Sequence, residues 1–218
     1  MVNSQFRDDL RKTYDRQANQ RDAGSIQGWK VEERASFLSL LQKEDKHTLL
    51  EIGSGPGRDG EFFQKQGLQV TCIDLSPEMI RLCHQKGLTA YVMDMTNLTF
   101  PANSSDAVYA LNSLLHLTKA KLPTVLRQID SLLKPTGLFF MGVYGGDDFE
   151  GTLKDDPSDP KRFFSYFTDD HLQKVVSQVF DILSFRQIPV QRAGIRHFQS
   201  LVLRKSRLPV SNSNSGGR

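Results

Sequence analysis

The sequence predicts a doubly wound α/β fold, in which a mostly parallel sheet is covered by helices on both faces. Short apolar runs alternate with segments of helical periodicity along most of the chain, and this alternation is typical of a parallel sheet. The first apolar run ends in a glycine-rich segment that leads into a helix. The last two runs are too close in sequence for a helical crossover, so we expect seven strands with an antiparallel final pair.

Size and composition are those of a globular protein with one core. The chain has 218 residues, of which 38% are hydrophobic and 24% charged. No apolar run approaches the roughly 18 residues of a membrane helix, and the polar N-terminus lacks the apolar stretch of a signal peptide. We therefore expect a cytoplasmic protein that does not enter a membrane. The formal net charge of +3 is too small to argue for nucleic acid.

Helices are predicted from apolar periodicity and from residues that start or stop a helix. Residues 1–30 are predicted to form one or two polar helices interrupted by glycines, and Trp29 to Leu41 places its apolar side chains on one face. Ser76 and Pro77 are typical of a helix start, and Thr168 is the expected cap of the last helix. The remaining helices are predicted at 59–66, 77–86, about 119–133, and 169–179.

Strands are predicted where short apolar runs are bounded by glycine, proline or polar turns. The first five are interleaved with helices, which predicts a parallel arrangement, and the last two are joined by a turn containing Gly194. The seven predicted strands are 47–52, 68–74, 89–93, 106–111, 138–143, 180–190 and 197–203. The two cysteines, Cys72 and Cys83, are too few for a disulfide framework, and we expect both to be buried free thiols.

The segment LLEIGSGPGRDG carries the strongest functional signal. A strand ends at Ile52, and glycines follow at 53, 55 and 57 before a helix begins. Glycine allows positive φ and lets a ligand approach the backbone closely, and the helix start offers unpaired N–H groups. This arrangement is typical of a nucleotide-like ligand bound at the carboxyl ends of parallel strands.

The charge around this loop distinguishes between two ligands. A dinucleotide fold has the spacing G-x-G-x-x-G and rests a pyrophosphate on the helix start, whereas this chain has G-x-G-x-G preceded by Glu51. An acid in that position repels pyrophosphate and suits a ligand that carries an ammonium or sulfonium group. Asp74 ends the second strand, where a carboxylate accepts hydrogen bonds from both ribose hydroxyls; the alternative role of Asp74 is to cap the helix that starts at Ser76. These features favour S-adenosylmethionine over NAD.

Residues 45–145 resemble the class I S-adenosylmethionine-dependent methyltransferases, with a Rossmann-like sheet. In that family the acid-G-x-G-x-G loop holds the methionine part, and the acid after the second strand binds ribose. The resemblance implies that Asp94 and Met95 hold adenine, although Met95 in ordinary core packing is the alternative. The expected cofactor is S-adenosyl-L-methionine, released as S-adenosyl-L-homocysteine. We assign to its site Glu51, Gly53, Ser54, Gly55, Gly57, Asp74, Leu75, Met79, Asp94, Met95 and Leu111.

The segment after the fourth strand is expected to face the donor methyl group. It lacks the Pro-Pro-aromatic signature of exocyclic-amine nucleic-acid methyltransferases, which favours a small-molecule acceptor. His116 is its titratable residue and a candidate base, with a structural histidine as the alternative. Tyr14 resembles the N-terminal tyrosine that many of these enzymes fold over the cofactor, and we assign it to the catalytic residues together with His116. We assign to the acceptor Trp29, Arg162, Tyr166, Arg196 and His197, with an ordinary packing or surface position as the alternative for each, and we expect no metal site.

The chain is divided into an N-terminal helical lid, 1–45, and a cofactor-binding domain, 46–205. Residues 144–168 form an insert that mixes glycine, proline, acids and aromatics, as a mobile recognition loop would. The tail 206–218 is too polar to pack and is expected to be disordered. The predicted function is a small-molecule O-, N- or S-methyltransferase acting as a monomer or homodimer. The alternatives are a non-catalytic nucleotide-binding protein that keeps this fold and, less favoured, an NAD-dependent reductase.

Overall fold

A computed structural model describes residues 2–190 and 195–206. Its strands form a seven-stranded sheet in the order β3-β2-β1-β4-β5-β9-β8, and a separate two-stranded sheet, β6-β7. The helices are α1 (Val2–Ala23), α2 (Gly28–Lys43), α3 (Arg58–Lys65), α4 (Pro77–Gln85), α5 (Leu122–Leu132) and α6 (Asp169–Val176). The strands are β1 (Thr48–Ile52), β2 (Gln69–Asp74), β3 (Thr89–Val92), β4 (Ser105–Leu111), β5 (Leu133–Gly145), β6 (Phe149–Thr152), β7 (Phe163–Tyr166), β8 (Phe180–Pro189) and β9 (His197–Lys205).

The predicted sheet is confirmed in strand number and direction. β1 pairs parallel with β2 and β4, and β5 pairs parallel with β4. β9 pairs antiparallel with both β5 and β8, as the short spacing of the last two runs predicted. The predicted turn at Gly194 and the predicted tail from residue 207 onward lie outside the described residues.

Alternation along the central strands divides the core into two layers. In β1, Leu50 packs with the layer that contains α5 and α6, while Leu49 packs with the layer of α2, α3 and α4. In β4, Val108 and Tyr109 divide in the same way. Because both faces of the sheet are covered at β1 and β4, most side chains of these central strands are buried, and the edge at their carboxyl ends is left open for a ligand.

The two predicted helix caps, at Ser76 and Thr168, are confirmed. The Ser76 hydroxyl accepts a hydrogen bond from the backbone N–H of Met79 at 3.2 Å, and Thr168 accepts one from His171 at 3.3 Å. α6 nevertheless ends at Val176, three residues before the predicted end. The two cysteines are free and buried, as expected.

The insert differs from the prediction of an irregular loop. Its ends pair as the antiparallel strands β6 and β7, in which Phe149 lies opposite Tyr166. β7 is buried at all four positions, because its aromatic residues pack on the core rather than facing solvent. The prediction of the fifth strand was also too short: β5 begins at Leu133, and the predicted turn at 135–137 is a bulge inside it, with Thr136 at φ +63°.

The N-terminal helix α1 packs against α4 and forms one wall of the site described below. Asp15 accepts a hydrogen bond from the Ser76 hydroxyl at 2.5 Å, and Lys86 Nζ lies 2.6 Å from Asp22 Oδ1. Among the described helices, none combines the length and apolar composition that a membrane span requires.

Candidate active site

A cavity of about 530 Å³ opens at the carboxyl ends of β1, β2 and β4, with α1 forming one side. Its location matches the ligand site expected of an open parallel sheet. Nine of the predicted cofactor residues line it: Glu51, Gly53, Ser54, Gly55, Asp74, Leu75, Met79, Met95 and Leu111. Tyr14, His116 and Arg162 also line it, so the structure brings both predicted catalytic residues and one predicted acceptor contact to the same space.

The glycine loop turns sharply because its three glycines, Gly53, Gly55 and Gly57, all adopt left-handed backbone. Gly55 has φ +54°, and a β-carbon there would meet no atom within 4 Å, so the glycine leaves the backbone open toward the cavity. Gly57 has φ +77° and lies behind the loop, where a β-carbon would come within 2.8 Å of the Cys83 sulfur. Gly57 therefore allows the loop to pack closely against α4, and it does not line the cavity.

Asp74 ties the glycine loop to the start of α4. Its Oδ2 accepts a hydrogen bond from Gly55 N–H at 2.9 Å, and its Oδ1 accepts one from Ser76 N–H at 2.9 Å. Burial raises the pKa of Asp74, although these two backbone hydrogen bonds oppose the shift. Each carboxylate oxygen keeps further lone pairs, so the side chain is able to accept two hydroxyl groups from a ligand in the cavity.

Glu51 lies beneath the loop and is buried. Burial, followed by the nearby charge of Asp59, raises its pKa, while the Cys72 thiol lies 3.5 Å from its carboxylate. Burial raises the pKa of Asp59 and Asp74 as well, so the electrostatic argument against pyrophosphate depends on the three acids together, all of which line the cavity.

Basic groups and unpartnered acceptors also face this end. Lys30 and Arg58 line the cavity near Asp59, and Arg21 also lines it, with its guanidinium 4.6 Å from the ring centroid of Tyr14. Asn112 Oδ1 and Ser113 Oγ are buried without a hydrogen-bond partner, and both residues follow β4 directly. Buried acceptors of this kind need a donor. An amino acid end group, with its ammonium and carboxylate, therefore fits the charges and the acceptors that this end offers.

Tyr14 and His116 meet at another part of the cavity lining, which we call the Tyr14 end. The Tyr14 hydroxyl is 2.6 Å from His116 Nε2, and His116 Nδ1 is 2.7 Å from the carbonyl oxygen of Phe163. Since a carbonyl only accepts, Nδ1 carries the proton and Nε2 accepts from Tyr14. Burial lowers the pKa of His116 to about 3, so the ring is neutral at physiological pH.

Arg162 reaches the same end from the insert. Its guanidinium binds the Asp156 carboxylate at 2.6 and 3.1 Å and lies 5.1 Å from the ring centroid of Phe164. Burial lowers the pKa of Arg162, but hydrogen bonds to Asp156 and Tyr14 outweigh it and raise the pKa overall. A permanent cation, already balanced by one acid, thus lies next to the tyrosine–histidine pair.

A second cavity of about 350 Å³ adjoins the first and shares Leu10, Leu75, Met95 and His116 with it. Asp94 lines this space, and Arg7 Nη1 of α1 lies 2.7 Å from its carboxylate. Burial raises the pKa of Asp94, but hydrogen bonds from Thr96 and Arg7 outweigh it and lower the pKa overall. The predicted adenine residues therefore lie together at the junction of the two cavities.

Four predicted acceptor residues lie outside both cavities. Trp29 packs on Phe198 with ring centroids 4.4 Å apart, and Tyr166 is buried between aromatic rings of the insert. Arg196 pairs with Asp147 at 2.9 Å, and His197 pairs with Asp169 at 2.8 Å. Their contacts hold the insert and its neighbours in place, and we retain Arg162 as the acceptor contact.

Several cavity residues were missed in the sequence. Asn112 and Ser113 stand directly after a predicted strand, and that position was a usable signal. Arg21, Tyr144 and Phe164 line the cavity but carry no motif. Tyr144 lies near the end of β5, whereas the places of Arg21 and Phe164 depend on how α1 and the insert fold back over the sheet. Among the described residues, no group of three or more His, Cys, Asp or Glu side chains is arranged to hold a metal ion.

Comparison with known proteins agrees with this architecture. Residues 49–137 match the family model described as a methyltransferase domain. The solved structure of 1,6-didemethyltoxoflavin-N1-methyltransferase from Burkholderia thailandensis, which holds S-adenosylhomocysteine, superimposes with a TM-score of 0.69 at 23% identity. The superposition covers 91% of this chain and 88% of that one.

Two curated relatives match by sequence. A ubiquinone biosynthesis O-methyltransferase from Xanthomonas axonopodis pv. citri is 34% identical over 118 residues, which is 50% of this chain and 48% of the relative. A phosphoethanolamine N-methyltransferase from Triticum aestivum is 27% identical over 122 residues, which is 52% of this chain and 24% of the relative. The chain thus spans half or less of the length of these relatives.

The fold, the glycine loop and the matched domain define a class of protein: a Rossmann-like methyltransferase domain. Residues 49–137 are thus similar to a methyltransferase domain, and the fold of the chain is similar to that of solved S-adenosylmethionine-dependent methyltransferases.

Proposed function

We propose that this protein transfers a methyl group from S-adenosyl-L-methionine to an O, N or S atom of a small molecule. The observation that carries the proposal is one continuous cavity. The glycine loop and Asp74 form one part of its lining, the glycine end, and the Tyr14–His116 pair forms another part, the Tyr14 end. A donor held at the first end and an acceptor held at the second would meet within the same space.

The residues of the glycine end match three parts of the cofactor: the ribose, the adenine and the methionine ammonium. Asp74 is placed to accept the ribose hydroxyls, and Asp94 with Met95 to hold the adenine at the junction of the cavities. Asn112 Oδ1 and Ser113 Oγ are acceptors that the methionine ammonium would satisfy. When bound, S-adenosylmethionine supplies a methyl group that is already activated by its sulfonium.

The residues of the second end orient the acceptor. The neutral His116 presents Nε2 as a hydrogen-bond acceptor, and Tyr14 occupies that position in this structure. An acceptor O–H or N–H that replaces the tyrosine hydroxyl would be held with its lone pair directed into the cavity. With a pKa of about 3, His116 is a weak base in this closed arrangement, so orientation supplies more of the acceleration than proton removal.

The class of acceptor is proposed from the cavity and from the relatives. The two relatives are named for O- and N-methylation, and the acceptor end carries both a cation, Arg162, and aromatic faces, Tyr144 and Phe164. A small acceptor with a polar or aromatic body fits this lining better than an extended polymer. A cytoplasmic location is part of the proposal, since two free buried thiols suit a reducing compartment.

The proposal is tested by product release. The full chain is incubated with S-adenosylmethionine and panels of small phenols, amines and thiols, and S-adenosylhomocysteine is quantified. We expect release that depends on at least one acceptor class and that falls sharply in Asp74→Ala. Tight binding of S-adenosylhomocysteine without turnover on any panel would favour the non-catalytic nucleotide-binding alternative.

A further inference from the structure

A buried ion pair closes a short loop within the insert. Asp156 Oδ2 accepts hydrogen bonds from Arg162 N–H at 2.8 Å and from Arg162 Nε at 3.1 Å, and Asp156 Oδ1 accepts one from Nη2 at 2.6 Å. The carboxylate side chain is 1% exposed. Three hydrogen bonds to one buried acid fix both ends of residues 156–162 relative to each other, because a bidentate guanidinium–carboxylate pair is geometrically strict.

The loop that this pair closes presents its oxygen atoms to α1. Thr13 Oγ1 donates to the Pro160 carbonyl at 2.5 Å, Arg16 Nη1 donates to the Asp159 carbonyl at 2.7 Å, and Gln17 Nε2 donates to Ser158 Oγ at 3.0 Å. All three acceptors lie between Asp156 and Arg162. The three donors lie within five residues of α1, at the spacing that places side chains on one side of a helix.

The Asp156–Arg162 pair is also close in sequence to the residues that hold Tyr14 and His116. Tyr14 lies next to Thr13 in α1 and reaches His116. Phe163 follows Arg162 directly, and its carbonyl accepts the Nδ1 proton of His116. The loop that the Asp156–Arg162 pair closes therefore supplies the contact that positions Tyr14. The residue that follows Arg162 supplies the contact that sets the tautomer of His116.

We infer that Asp156 is a positioning residue for the proposed methyl transfer. It fixes the conformation of residues 156–162, so that this loop binds α1. Tyr14 of α1 is thereby held against His116, which is kept in a single tautomer. Asp156 lines neither cavity and acts through Arg162 and the loop. The inference rests on the proposed function for its catalytic meaning. The docking of α1 itself is a structural claim that is measured without substrate.

Asp156→Asn is the informative change because it keeps the size of the side chain. It removes the charge and one acceptor oxygen, and it leaves the buried Arg162 guanidinium poorly compensated beside Tyr14. Glu33→Gln is a matched control. Glu33 is also buried and pairs with Arg186 at 2.7 Å, but it joins α2 to the far strands and lines neither cavity.

The primary readout is hydrogen exchange of the α1 amides in the full chain without cofactor or acceptor, compared with the core amides of β1. We expect at least about tenfold faster exchange in residues 10–17 of Asp156→Asn, with β1 protection reduced no more than in Glu33→Gln. A merely structural role would loosen α1 equally in both variants. Equal α1 exchange in the two variants would overturn the inference.

The second readout is the protonation of His116, followed by nitrogen-15 correlation spectra. The wild-type ring and the Glu33→Gln ring should carry the proton on Nδ1 alone. In Asp156→Asn we expect a mixture of tautomers, and kcat on an accepted substrate should fall about tenfold. A single Nδ1–H tautomer in Asp156→Asn would contradict the role assigned to the pair. Because exchange and tautomer are read without turnover, failure of the proposed function leaves both results interpretable.

Thr13→Val tests the same link from the other side if Asp156→Asn does not fold. Thr13 is 1% exposed, and valine keeps its shape while removing the hydrogen bond to Pro160. We expect faster exchange of residues 10–17 by about threefold to tenfold, with the Asp156–Arg162 pair intact. Wild-type exchange of α1 in Thr13→Val would show that the loop does not hold the helix, and it would overturn the inference.

Discussion

The two ends of the cavity are built from different kinds of contact. At the glycine end, the loop from Gly53, Asp74 and the residues after β4 follow three neighbouring strands of one sheet, so the backbone alone places them. At the Tyr14 end, the contacts join residues 102 and 47 positions apart, from α1 to His116 and from His116 to Phe163. The first end is fixed by the sheet, whereas the second exists only when α1 and the insert dock.

This difference predicts separable effects. Changes at the glycine end should affect cofactor binding and local stability, while changes at the Tyr14 end should affect turnover with the cofactor still bound. Four predictions test the separation, from the largest expected effect to the smallest.

His116→Gln should reduce kcat by about 100-fold, the range found when a reacting group loses its orientation. Glutamine cannot maintain both the bond to Phe163 and an acceptor aligned on Tyr14. The Kd of S-adenosylhomocysteine, measured by calorimetry, should stay within about threefold of wild type. His171→Gln is the control, because His171 is exposed and pairs with Asp148 outside the cavity. Equal losses in kcat and in affinity for S-adenosylhomocysteine would show that the two ends of the cavity do not act separately.

Asp74→Ala should weaken S-adenosylhomocysteine binding by about 100-fold. Two charge-assisted hydrogen bonds to ribose contribute about 3 kcal/mol together, and about 1.4 kcal/mol corresponds to a factor of ten. The comparison is Asp106→Ala, which removes an acid that holds β1 through Thr48 at 2.8 Å and lines neither cavity. That variant should lose stability but bind normally. Unchanged affinity in Asp74→Ala would remove this residue from the site.

Gly57→Ala should lower the free energy of unfolding by about 3 kcal/mol, from left-handed strain of about 1 kcal/mol and overpacking of about 2 kcal/mol. The added carbon would lie 2.6 Å from a Leu88 methyl carbon. Gly87→Ala is matched in φ, +73° against +77°, but meets no atom within 4 Å. It should therefore cost only about 1 kcal/mol, and equal losses in urea unfolding would refute the packing explanation.

His116 should make the protein less stable in mild acid. Its folded pKa of about 3 lies below the unfolded value of about 6.5, so the unfolded chain binds more protons between these values. The free energy of unfolding should therefore fall as pH decreases from about 6.5, by up to about 1.4 kcal/mol per pH unit. The slope should be shallower in His116→Gln, as measured by urea unfolding between pH 6.5 and 4.5. An identical slope in the variant would show that His116 is not held neutral by burial.

The sequence predicted the parts of the fold and site that depend on local pattern. The glycine loop and the cap at Ser76 could be predicted because each depends on a few adjacent residues, and strand direction followed from segment spacing. The pairing of β6 with β7 was missed because Gly, Pro and acids around the aromatic residues resemble a loop. Tyr14 and His116 were each predicted by resemblance, but their contact was not, since it spans 102 positions. Arg196 and His197 were selected for their chemistry and lie in ion pairs outside the cavity.

The central claim is that the glycine end holds a cationic, ribose-bearing methyl donor. Calorimetric titration of the full chain with S-adenosylhomocysteine, and in parallel with NADH, tests it most directly. We predict one-to-one binding of S-adenosylhomocysteine in the micromolar range or tighter, about −8 kcal/mol or more favourable, and no heat from NADH. Binding of NADH without binding of S-adenosylhomocysteine would contradict the account.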